Sequence, residues 1–561
     1  MNKRFLVLIL IFCFFGELFS QEEKKGTFFG GFESNSQYYL DDNELGDFTY
    51  ENRFRSNNYL NLNYNYDRWT VGILAEGYEK NALLNYNPKL EGTNIGTYYV
   101  NYKTNKIEVS AGYLYDQFGS GMILRTWEDR ALGINNSIRG ARVVYKPNDQ
   151  IKLTGLYGQQ RSGFDVSKGE IFGFDSDFNL SKTLNLTKSD LTFGFSYVGR
   201  YEKTTIEQPN FDELTNAFST RLDFIHNSFY ASLEHCYKTE EATIFFNELN
   251  NDFVKPGSSF LLNTGFSKKD LGIDLSLRRI ENMSFYSERK PDIYPENGGS
   301  TSINYNDKIM NFVPALTKQH HYNLANIYVH QAQSRIDYID PTIMKAGETG
   351  GQIDVFYNFT KGTKLGGKYG TKIAVNYASW YNLPGEYKYN PGDYKTNFFG
   401  VSQKYFSDFN VEVTKKINKN LHGNFMYINQ YYDQSLAIGG ELVKTNIVAG
   451  DVTYKFNAAK SIRFQAEHMW ADADNKNWAG ATAEFNYNSK LSFYVYDMYN
   501  YGNEYKEKQI HYYNLGGSYR KGSTRIALNY GRQRGGLVCV GGVCRFVPES
   551  KGVSLSLSTT F

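Results

Sequence analysis

The chain of 561 residues has only 11 prolines and four cysteines. Beyond residue 20 it has no run near the roughly 18 consecutive apolar residues that mark a membrane helix. Its charge leans to neither sign: removing Lys3, Arg4 and Glu17 with the first twenty residues leaves 59 basic against 58 acidic side chains. So even a balance gives no reason to propose nucleic acid as a partner. Phosphate-loop, dinucleotide, HExxH and GxSxG signatures are all missing, and Gly119-Ser-Gly121 lacks the spacing of a nucleophile elbow. The eight histidines are scattered. His320, His321 and His330 form their only cluster, but His321 and His330 have opposite strand parity, which separates them as metal ligands. No enzyme, cofactor or metal site is expected.

Lys3 and Arg4, the apolar stretch Phe5 to Phe15 and the junction Ser20-Gln21 read as a secretory signal over 1–20, although Leu18 is bulky for its place in the cleavage motif. Phe12 argues against Cys13 as a lipidated cysteine. Export permits disulfides. Cys539-Val-Gly-Gly-Val-Cys544 is the candidate pair, and Cys236 reads as a lone strand residue.

In contrast, Tyr (47), Phe (41) and Gly (51) are abundant, and they lie in alternating runs. Leu60, Leu62, Tyr64 and Tyr66 alternate with Asn61, Asn63 and Asn65, and after Asp67-Arg68 the pattern returns as Trp69, Val71, Ile73 and Ala75. Such a period puts apolar residues on one face and polar ones on the other. Alternation also explains how a mean hydropathy of −0.53 is compatible with membrane strands, each of which gives half its residues to each face. Tight turns such as Thr104-Asn105, His226-Asn227, Asn418-Lys-Asn420 and Lys521-Gly522 alternate with long polar connections, among them 202–216, 238–258, 284–305, 331–350 and 381–397. That asymmetry is the pattern of an outer-membrane barrel with short periplasmic turns and long external loops. The reading is an all-β, antiparallel, up-and-down transmembrane barrel of about 26 strands (range 22–26), forming one domain over 21–561. Its last strand, Gly552 to Phe561, ends on an aromatic residue. Phe561 resembles the C-terminal signal read by the barrel insertion machinery, and lipid is the other expected partner.

One stretch departs from alternation. Strands at Ile107–Tyr115 and Ala141–Tyr157 flank a loop that mixes Met122, Ile123, Leu124, Trp127, Leu132 and Ile134 with Arg125, Glu128, Asp129 and Arg130, followed by Arg139. Sequestered charges need partners, and parity offers Glu108, Asp116 and Arg142, with Lys152 behind. This third external loop, after 40–54 and 80–96, is therefore expected to fold inward and constrict the lumen, a position similar to the constriction loop of general porins. The constriction candidates are Arg125, Glu128, Asp129, Arg130, Arg139, Arg142, Glu108 and Asp116.

Gly112-Tyr-Leu-Tyr-Asp-Gln-Phe-Gly-Ser-Gly-Met-Ile-Leu-Arg125, Asn311-Phe-Val-Pro-Ala-Leu-Thr-Lys-Gln-His320 and Gly535-Gly-Leu-Val-Cys-Val-Gly-Gly-Val-Cys-Arg545 resemble segments of a Bacteroidota outer-membrane family known as a domain of unknown function. The resemblance implies a barrel in the outer membrane and no activity. Two functions follow as expectations: a porin-like channel or binding barrel for small hydrophilic solutes, or a plugged structural subunit of an export, biogenesis or nutrient-uptake assembly. A TonB-dependent transporter or a peptidoglycan-anchored porin is not expected, since no plug domain precedes the first strand and no periplasmic domain follows the last.

Overall fold

A computed structural model describes residues 26–561 apart from 88, 204–211, 246–247, 250–253, 296–300, 305, 341–342, 389–391, 437–438 and 541–542. The signal expected over 1–20 lies outside the described residues. Twenty-four strands form one antiparallel sheet in sequence order. The sheet closes on itself, because Thr27–Leu40 pairs with Phe54–Tyr66 on one side and with Ser550–Thr560 on the other. Phe561 completes the seam by exchanging backbone hydrogen bonds with Gly30, at 2.9 and 3.0 Å. Closure removes the unpaired edges that a sheet of this size would otherwise expose.

The alternation in the sequence becomes two faces. Ile73, Val109, Val143, Leu233, Leu277, Leu515, Leu528 and Leu555 are exposed on one of them. Their neighbours on the other face, such as Ser110, Glu234, Arg278 and Ala527, are buried. Hairpins on the side of the termini are tight, and Asp67, Asn227 and Gly522 adopt the left-handed backbone (φ +52°, +52° and +60°) that such turns demand. The opposite side carries the long connections.

The structure has 24 barrel strands where the sequence suggests about 26. Separate external loops at 284–305 and 331–350 would require a strand pair between them. Instead 282–346 is a single connection between Leu271–Glu281 and Gly347–Phe359, two strands that pair directly with each other. Its central part contains Pro314 and the short 3-10 turns Asn306–Lys308 and Leu324–Asn326. Proline supplies no ladder donor, and these turns break the extended backbone. Small two-stranded ladders elsewhere, including Gly385–Lys388 with Asp393–Thr396, also stay outside the barrel. Gly536–Val540 pairs with Val543–Val547 and sets Cys539 opposite Cys544 in register, while the side chains of both cysteines lie outside the described residues.

Candidate functional site where two long connections meet

The connection 115–137 doubles back on itself at once. Gly119 and Gly121 take left-handed backbone (φ +55° and +94°), and a Cβ on Gly119 would meet Glu234 Oε1 at 2.4 Å. The turn lets Gln117–Phe118 pair with Leu124–Arg125. Phe118, Met122, Ile123 and Leu124 are all fully buried. They cluster with Ile171, Val198, Ala217, Cys236, Leu261 and Ile280, one residue from each strand between Asp165–Asn179 and Leu271–Glu281. Burying each of Phe118, Met122, Ile123 and Leu124 stabilises by about 1.5–3 kcal/mol. Polar contacts fix the depth: Ser120 N donates to Glu234 Oε2 at 3.0 Å, and Ser259 Oγ lies 3.0 Å from Met122 Sδ.

The charged residues of this connection divide by role. Arg130 bridges Glu33 (2.6 Å) and Glu128 (2.7 Å), with its guanidinium 4.2 Å over the Tyr59 ring. Burial works against its charge, but the two carboxylates more than offset this and raise its pKa. Asp129 accepts the backbone N–H groups of Ala131 and Leu132. Arg125 stacks instead, 3.8 Å over Phe312 and 5.4 Å from Trp127, and burial lowers its pKa. Arg142 joins Glu108 (2.5 Å) and Asp116 (3.5 Å), and Lys152 reaches Asp177 at 3.8 Å. Burial raises the Asp116 carboxyl despite the Arg142 charge. Arg139 stands apart from the rest, on the exposed face with Val143 and Tyr145.

The partner this connection meets is absent from the sequence-based expectations. Arg125 N donates to Met310 O at 2.8 Å, and Phe312 N donates to Gly121 O at 2.8 Å. Asn311 Nδ2 ties Met122 O (3.0 Å) to Met283 O (2.7 Å). From there the second connection passes along the buried face of successive strands. Arg278 donates to Pro314 O (2.6 Å), Lys318 pairs with Glu412 (3.1 Å) and His320 with Asp408 (2.8 Å). Tyr322 donates to Asp451 (3.1 Å), and Glu467 accepts the N–H groups of Asn323 (3.2 Å) and Leu324 (2.8 Å). His330 pairs with Glu348 at 3.0 Å, so the histidine cluster is split between two carboxylates. Tyr322, Leu324, Ala325 and Tyr328 pack into a second apolar cluster with Trp380, Phe406, Met426, Ile428, Met469 and Trp478, and Leu316 touches both clusters. A sequence signal did exist: acidic residues recur at buried-face positions of the later strands (Glu348, Asp408, Asp451, Glu467) and need something to hold.

The family model described as "Family of unknown function (DUF6029)" matches residues 1–561. The chain belongs to that family. Among solved structures, the P pilus usher (PapC) translocation pore aligns over 95% of this chain and 99% of its own, at 10% identity and a TM-score of 0.45. The siderophore receptor PirA of Pseudomonas aeruginosa aligns over 97% and 81% (7% identity, TM-score 0.41), and a BenF-like porin of Pseudomonas fluorescens Pf-5 over 96% and 98% (7%, 0.34). No curated protein matches the chain.

Within this family member, what the junction offers is adhesion between two connections and a wall, with backbone amides, ion pairs and apolar side chains as the groups in contact. Among the described residues no three His, Cys, Asp or Glu side chains are grouped to hold a metal ion.

Proposed function

We propose that the protein is an outer-membrane barrel whose lumen is closed at rest by its own connections 115–137 and 282–346. It would act as a gated or partner-dependent unit, and not as a standing pore. The observation that carries this reading is the junction: two connections joined through backbone hydrogen bonds and embedded in two apolar clusters against the face opposite the exposed aliphatic one. A constriction loop lining a water channel has no need of such cores. The apolar outer face and the closed ring support lipid as the surrounding medium, since only closed barrels or helices satisfy backbone groups there. On this reading the charged set Arg125, Glu128, Asp129, Arg130, Arg142, Glu108 and Asp116 secures a plug, with Arg139 outside it.

The rival reading, an open channel for small hydrophilic solutes, draws on Asn61, Asn65 and Asp274. These polar residues share the parity of the buried face and are exposed toward the tight-turn side. Planar-bilayer recording of the purified full-length protein separates the two. A silent membrane is expected. Steady conductance from the wild-type protein without added partner or ligand would overturn the closed reading in favour of the channel.

A further inference from the structure

The chain is close to neutral as a whole, but its charge is not spread evenly along the barrel axis. Counted from the last residue of one strand to the first of the next, the eleven tight hairpins hold 16 lysines and arginines. Against these stand only three acidic residues, Asp67, Asp149 and Asp270. Nine of the 16 lie in four hairpins, 268–271, 359–371, 416–421 and 455–461, whose strands are neighbours around the ring. We propose that this sector of the tight-turn rim binds the headgroups of anionic phospholipids in the adjoining leaflet. The inference rests on the membrane placement proposed above and is independent of whether the lumen is closed.

Three features select that chemistry. The first is charge without a match. Lys103, in another hairpin, reaches Glu108 at 3.0 Å, whereas none of the nine lysines forms an ion pair among the described residues. Neighbouring ammonium groups repel one another, and a headgroup phosphate between them relieves that repulsion. The second is the set of rings beneath them. Lys460 Nζ lies 5.4 to 5.5 Å from the ring centres of Phe456, Phe485 and Tyr487. Lys368 and Lys416 share the ring of Tyr369, at 5.8 and 5.4 Å. Aromatic side chains topped by cations suit the water edge of a bilayer, where the apolar body stays in lipid and the charge among the headgroups. The third is apolar surface in the same hairpins: Leu365, Ile417 and Phe456 are 60%, 54% and 50% exposed. A lipid covers such surface with its acyl chains, and a small soluble anion leaves it in water.

The test uses the full chain in detergent at low salt, with bound ligand counted by native mass spectrometry. The probes are dioctanoyl phosphatidylglycerol, dioctanoyl phosphatidylethanolamine, inorganic phosphate and a glutamate decapeptide. Phosphatidylglycerol should bind about tenfold more tightly than phosphatidylethanolamine, and added salt should erase the difference. Lys368→Gln combined with Lys416→Gln should weaken phosphatidylglycerol about 25-fold, roughly fivefold for each charge removed. Lys368→Arg with Lys416→Arg should keep the affinity, which separates charge from structure. Lys182→Gln with Lys188→Gln, in a hairpin outside the sector, should change it less than about twofold. Unchanged heat-modifiability on gels establishes that each variant keeps its barrel. Equal binding of the two lipids, indifference to the Gln pair, or equal losses from the Gln pairs inside and outside the sector would each overturn the proposal. So would phosphate binding as tightly as phosphatidylglycerol, which marks a bare anion site, or tighter binding of the decapeptide, which marks a surface for an acidic protein. A chain that fails to insert into phosphatidylethanolamine vesicles would overturn the membrane placement and this proposal with it. One that inserts and shows no preference between the lipids sinks this proposal alone.

Discussion

The two connections that meet at Gly121 and Met310 are held by opposite means. The first grips the wall with its own side chains: Phe118, Met122, Ile123 and Leu124 are the buried wedge, and Arg130 finds Glu33 and the Tyr59 ring, while Arg125 stacks on Phe312 of the second connection. The second is held by the wall. Glu467, Asp408, Asp451, Glu412 and Glu348 reach from barrel strands to its backbone, histidines, lysine and tyrosine. A segment that binds through its own side chains advertises itself in the sequence. One whose polar side chains and backbone are answered by carboxylates of the wall leaves its signature on the strands that receive it.

The largest test of that contrast removes each connection in turn. Replacing 311–334 with a short Gly-Ser linker should turn a silent barrel into a conducting one. Replacing 117–135 should give a smaller conductance, because its contacts lie on the other half of the wall and the second segment stays anchored. A silent bilayer from both deletions would end the plug reading.

Single residues sharpen the comparison on a smaller scale. Glu467→Gln puts an amide N–H in place of one of the two oxygens that accept the backbone donors of Asn323 and Leu324, and should cost ~1–3 kcal/mol in urea unfolding from detergent. Arg125→Leu keeps apolar contact with Phe312 and loses only the charge over the ring, about 0.5–2 kcal/mol. If the Arg125 change proved the costlier, the contrast between a connection seated by its own apolar wedge and one held by wall carboxylates would be mistaken. A Thr126→Cys thiol, at a position 5% exposed, should react with a bulky impermeant reagent far more slowly than Tyr505→Cys, at a position 58% exposed. Arg125→Ala or Arg130→Ala should speed it. Equal rates in the unaltered background would make 115–137 an ordinary surface loop.

The barrel itself was legible because a period of two survives in every strand and because turns such as Asp67-Arg68 and Lys521-Gly522 carry their own chemistry. Glu108, Asp116 and Arg142 share a face as parity requires, although they were expected to partner the charges of 115–137 and instead Arg142 pairs with Glu108 and Asp116 themselves. Arg139 does not share that face, since at the strand end three residues before Arg142 it falls on the other one. The second connection stayed hidden for a physical reason. Short alternating runs around His320 and His330 imitate strands, and only a long-range choice decides the matter: Leu271–Glu281 pairs directly with Gly347–Phe359 and leaves the intervening residues no place in the sheet. The buried Glu76–Arg161 pair was equally invisible, because its members come from strands 85 residues apart in the chain.

The smallest expected effect separates the two connections by pH. Burial pushes the Asp292 carboxyl up, but Lys89 at 2.6 Å and Lys308 at 3.2 Å pull it further down, so its pKa lies below the usual carboxylate range. The native value is thus depressed relative to the unfolded one, near ~3.9. The stability it contributes is fully present above that unfolded value and is lost as pH falls through the native one. The stability difference between wild type and Asp292→Asn should accordingly be flat from pH 7 to about 5 and shrink toward zero below about 4. The Arg125→Leu difference should stay flat throughout, because its partners are the rings of Phe312 and Trp127, which do not titrate. An Asp292→Asn difference as large at pH 3 as at pH 7 would mean that the flank of the second connection is held by something other than this ion pair.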